Sequence, residues 1–60
     1  MNTQEILNLI NIKLEVLKEH LEYAKKIDLG QAMEYYYTGK IEALERLKEQ
    51  IETAEKNRKD

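Results

Sequence analysis

Apolar residues recur along the first half of the chain in two lines rather than one. Leu7, Ile10, Leu14, Leu17 and Leu21 follow steps of three and four, and Ala24 continues them. Leu9, Ile12, Val16, Tyr23 and Ile27 do the same on another side. Both spacings belong to an α-helix, in which successive residues turn by about 100°. Together the two lines cover about 220° of the helix surface, roughly twice the apolar arc of an ordinary surface helix. One neighbouring helix can cover one line. The other line requires a further surface, and a second copy of the chain is the simplest source of it.

The pattern predicts two helices and a tight turn. The first runs over about 3–26, with Asn2 as its N-cap, Glu5 at the third helical position and Thr3 as a rival cap. Lys25 and Lys26 complement the negative end of its dipole. The turn is expected at about 27–28. Asp28 is read as the cap of a second helix over about 29–56, with Gln31 completing a capping box. Gly30 offers an alternative, closing the first helix as a left-handed glycine. A connection this short makes the helices antiparallel neighbours.

In the second helix Leu29, Met33, Lys40, Leu44, Leu47, Ile51 and Ala54 are expected on one face, flanked by Tyr36 and Tyr37. Ala32, Gly39 and Ala43 form a line of small residues beside it. Glu34, Thr38, Glu42, Glu45, Glu49, Glu52 and Lys56 fall opposite. Gly39 is either a helix break or a place where another backbone approaches; the unbroken apolar phase from Met33 to Leu44 favours the continuous helix. Residues 57–60 have no apolar anchor and are expected to fray.

These elements give an all-α fold: an antiparallel two-helix hairpin, dimerising into a four-helix bundle. Length supports the dimer, because a 60-residue chain makes one domain with a marginal core. Such a core is usually reinforced by disulfides, a metal or oligomerisation. There is no Cys and one His, which leaves oligomerisation. The interface is expected to draw on Leu7, Ile10, Leu14, Leu17, Leu21, Gly39, Ala43, Leu44, Leu47 and Ile51.

The net charge of −2 argues against a nucleic-acid coat or a strongly anionic membrane as partner. Lys and Arg are interleaved with Glu on both helices, and only Lys56-Asn57-Arg58-Lys59 is locally basic. No run of 18 apolar residues exists to cross a membrane, and no basic segment precedes the first apolar stretch as in a secretory signal. A cytoplasmic location is expected.

No residue set marks an enzyme. A catalytic His20 would need a nucleophile or a positioned carboxylate, and Glu19 and Glu22, near it in sequence, are expected to point elsewhere on the helix. The residue three before His20 is Leu17, so the Glu-x-x-His pair of di-iron bundles is missing. Lys40 follows Gly39 without the rest of a phosphate-binding loop. No cofactor and no metal are expected. Tyr23, Tyr35, Tyr36 and Tyr37 gather with His20 near the turn end, either as a packing cluster or as a binding patch. The candidate partner-binding residues are Tyr23, Tyr35, His20 and Ile12, with Leu9, Ile12 and Val16 on the outer edge of the first helix as the next choice.

The stretch Tyr35-Tyr36-Tyr37-Thr38-Gly39-Lys40-Ile41-Glu42-Ala43-Leu44-Glu45-Arg46-Leu47 resembles the second helix of small helical-hairpin proteins encoded by bacteriophages of Gram-positive bacteria. The resemblance covers about the C-terminal half and implies no catalytic residues. It implies a regulator that binds a host protein. In size and expected assembly the chain is also similar to the Rop-like RNA-binding hairpins of plasmids, but it lacks their basic groove. The functional expectation is a non-enzymatic protein–protein interaction module. The alternatives are a Rop-like nucleic-acid-binding dimer and a purely structural oligomerisation subunit.

Overall fold

The computed structural model describes residues 1–58 and forms two helices that pack against each other as a hairpin. Helix α1 spans Thr3–Lys26 and α2 spans Gln31–Asn57. Asn2 caps α1: its side-chain oxygen accepts a 2.9 Å hydrogen bond from the Glu5 backbone N–H.

Asp28 does not cap α2. It ends α1 in the left-handed region at φ 54°. Its N–H donates to the Lys25 carbonyl at 3.2 Å, and the Leu29 N–H donates to the Ala24 carbonyl at 3.0 Å. This pair of bonds is the Schellman closure, usually built on Gly at the position Asp28 occupies. The start of α2 therefore moves from Leu29 to Gln31. Gly30 becomes the residue before it, at φ 107°, with no side-chain cap. Asp suits both an N-cap and a left-handed position, which explains the misreading. At the far end α2 stays helical through Asn57 and Arg58 caps it. The rest of the expected fraying, at Lys59 and Asp60, lies outside the described residues.

The seam follows alternating steps of four and three on both helices. In α1 the buried and half-buried positions are Thr3, Leu7, Ile10, Leu14, Leu17, Leu21 and Ala24. In α2 the matching series is Glu34, Tyr37, Ile41, Leu44, Lys48, Ile51 and Glu55. Such a 3–4 repeat keeps two helices in contact along their length. Ile10, Leu14 and Ile41 form the centre, with Leu17, Leu21, Leu44 and Ile51 against them. Ala24, at 1% exposure, lets α2 come close near the turn.

Two expectations change here. The line from Leu7 to Leu21, assigned to the dimer interface, packs with Leu44 and Ile51 inside the hairpin. The repeat of these residues matches that of α2, and a covalently tethered neighbour reaches them first. Second, Ile41 and not Lys40 occupies the α2 seam, and Leu47 turns outward. The expected face keeps Leu44 and Ile51 but is one residue off at Met33, Lys40, Leu47 and Ala54, because Glu34, Lys48 and Glu55 hold half-buried seam positions that an apolar count passes over.

Gly39 does not break α2, which is continuous through it. Nothing lies within 4 Å of where a Cβ would sit, so no backbone of the hairpin approaches there.

Candidate association surface

The 3–4 seam divides the rest of the hairpin into two broad faces of opposite character. At about 100° per residue, positions flanking the seam on one side are Asn11, Glu15, Lys18, Glu22 and Lys25 of α1, with Thr38, Glu42, Glu45, Glu49 and Glu52 of α2. All are polar. Lys18 Nζ lies 3.7 Å from Glu45 Oε2 across this side. Both groups are about half exposed, so the pair contributes little to stability.

The other side is apolar. Ile6, Leu9, Ile12, Val16, Tyr23 and Ile27 of α1 are exposed there, with Tyr36 and Leu47 of α2. Ile12 is 58% exposed and Tyr23 61%. The hairpin thus uses the first apolar line of α1 and leaves the second uncovered. A groove runs along this side, lined by Ile12, Lys13, Val16 and Leu17 from α1 and by Lys40, Ala43 and Leu44 from α2. Exposed apolar side chains are thus concentrated on this side of the hairpin.

An aromatic cluster borders the groove. The His20 and Tyr37 rings meet edge-on at 5.8 Å, and Tyr36 and Tyr37 at 5.3 Å. Lys40 Nζ stands 4.8 Å over the Tyr36 ring. Hydrogen bonding with the Tyr36 side chain, then its charge, raises the Lys40 pKa above the ordinary 10.5. Lys40 places a cation beside the groove, over an aromatic ring.

The candidate partner-binding residues do not form one patch. His20 joins Tyr36, Tyr37 and Lys40, while Ile12 and Tyr23 lie on the outer shoulder of α1. Tyr35, 67% exposed, is turned about 100° from Tyr36 toward the polar side of α2. Three consecutive tyrosines cannot share one helix face. Gly39 and Ala43 are exposed on α2, outside the seam. Lys13, to which the sequence gave no role, and Lys40, expected on the apolar face of α2, are the charged groups lining the groove. Their position follows from the seam phase, which the sequence disguised.

Among the described residues no group of three or more His, Asp and Glu side chains is placed to hold a metal ion. No helix of the described residues is long and apolar enough to cross a membrane. No protein-family model, curated protein or solved structure matches the chain.

Proposed function

We propose that this chain is a non-enzymatic protein–protein interaction module that works as a homodimer of hairpins, four helices in all. The observation carrying this reading is the segregation of exposed apolar side chains onto one broad face. The framework measures 50 × 16 × 13 Å. A face of those larger dimensions offers roughly the 800 Å² per partner of a standard specific interface. Removing its apolar side chains from water contributes about 25 cal/mol per Å², before the cost of association.

The likeness of residues 35–47 to phage hairpins extends the proposal: the dimer is a modulator that captures a host regulatory protein. The turn-end tyrosines, Tyr35 above all, stay available for that second partner. The row Glu42, Glu45, Glu49 and Glu52 repels phosphate and supports a protein partner over nucleic acid.

Analytical ultracentrifugation across micromolar concentrations, with melting curves at each, tests the dimer. The expected result is a dimer whose Tm falls on dilution. A monomer with a dilution-independent Tm overturns it. Capture of one stoichiometric protein from host lysate, lost on Tyr35→Ala, is the expected result for the modulator. Wild-type capture by that variant removes Tyr35 from the site.

A further inference from the structure

The groove on the apolar side of the hairpin holds about 620 Å³. That lies within the range of roughly 300–1,000 Å³ typical of small-ligand sites. Ile12, Val16, Leu17, Ala43 and Leu44 give it apolar walls, and its charged lining is Lys13 and Lys40, both exposed. Among the described residues no carboxylate lines it. Glu15, Glu19 and Glu22 are turned by about 120–180° from Lys13 around α1, and Glu5 lies about 12 Å before it along the axis. On α2, Glu34, Glu42, Glu45, Glu49 and Glu52 are turned by about 120–180° from Lys40.

Lys13 stands near the middle of α1. Counted from the Thr3–Glu55 contact, Lys40 is level with about residue 18 of α1, some 8 Å nearer the turn. Two copies stacked in full overlap through their apolar faces therefore bring four ammonium groups to the middle third of the contact, whichever way their ends are turned. Covering these charges without an opposite one opposes association.

We propose that the groove is a binding site for a long-chain carboxylate. The alkyl chain lies along Val16, Leu17, Ala43 and Leu44, and the carboxylate accepts hydrogen bonds from the Lys13 and Lys40 ammonium groups. This deepens the homodimer reading above, on which the stacking rests: an anion in each groove supplies the charge that the joined faces lack. With a second hairpin over the face, the groove has room for an alkyl chain and none for a further helix. From Leu9 to His20 this side of α1 runs about 16 Å, which suits an extended dodecanoate.

Dodecanoate, kept below its micelle-forming concentration, is titrated calorimetrically into the full chain while circular dichroism follows helicity. Acetate and dodecyltrimethylammonium are run beside it. The expected result is saturable binding of dodecanoate with helicity intact, and no comparable binding of either control. Lys13→Gln and Lys40→Gln are each expected to weaken it about tenfold, the loss of one charge-assisted hydrogen bond. Equal binding of the cationic amphiphile, or wild-type affinity in the double variant, overturns the site. Helicity lost in step with the calorimetric signal shows detergent action and also overturns it. In sedimentation at low micromolar concentration, dodecanoate is expected to raise the share of dimer. A wild type that dimerises but takes up no dodecanoate overturns the site and leaves the homodimer, the second copy then filling the groove alone. A wild type that binds dodecanoate yet stays monomeric supports the site and overturns the homodimer. An acidic amphipathic peptide helix that binds where dodecanoate does not overturns the site and assigns the groove to a protein.

Discussion

Thr3 Oγ1 donates a 2.9 Å hydrogen bond to Glu55 Oε2, joining residues 52 apart in sequence at the open end of the hairpin. Glu55 also meets Arg58 Nη1 at 3.4 Å. The turn fixes one end of the helix pair, and this contact sets the register at the other. Thr3→Val keeps the shape and removes the donor. We expect a loss of about 1 kcal/mol in urea denaturation, the net worth of a partly buried hydrogen bond. A change near zero would assign the register to apolar packing alone.

Ile41 and Leu47 separate the two possible phases of α2. Ile41 is 8% exposed within the core and Leu47 is 43% exposed. Ile41→Ala is expected to cost about 2–4 kcal/mol, close to the whole stability of so small a domain. Leu47→Ala is expected to cost under about 1 kcal/mol in the monomeric hairpin, read from melts at high dilution. The reverse order of costs would return Leu47 to the seam.

The turn offers a gain and a loss two residues apart. Asp28 pays for a left-handed backbone and sets a negative charge at the negative end of the α1 dipole. Asp28→Gly relieves both and is expected to stabilise by up to about 1 kcal/mol. Gly30→Ala imposes a Cβ at φ 107° and is expected to destabilise by about 1 kcal/mol or more, although nothing nearby would clash with it. Equal responses at the two sites, measured by Tm, would contradict this geometry.

Gly39 carries the helix-propensity cost of glycine without an intramolecular contact that needs it. Gly39→Ala is expected to raise stability by about 0.5–1 kcal/mol. Urea denaturation of the same variant reads this gain. A loss of stability on adding this one methyl would show that another group packs against Gly39.

Much of the architecture could be read from the chain before folding it. The two apolar lines of α1 specify its length and one buried side, because every position of both is apolar or aromatic. The Asn2–Glu5 cap is legible for the same reason that caps are generally: its chemistry is local. The phase of α2 was only partly legible, because three of its seven seam positions carry Glu or Lys, which an apolar count passes over. Apolar counting then favoured Lys40 and Leu47 over Ile41. Which α1 line faces inward is also hidden in the sequence, since the two are equally apolar. Only the match to the α2 repeat chooses between them. Helical rotation separates Tyr35 from Tyr36 and Tyr37, which meet each other and His20.

The hairpin is 13 Å across in its thinnest direction, and no large side chain among the described residues is fully sealed from solvent. A fold this slender unfolds with a small enthalpy, on the order of 40 kcal/mol for 60 residues. Its melt should be broad, with an appreciable open fraction well below the midpoint. If copies stabilise one another, the folded share becomes a function of how much protein is made. At low abundance the chain is expected to spend much of its time open and exposed to proteases. Above a threshold set by the self-association constant it protects itself, so that active protein rises more steeply than synthesis.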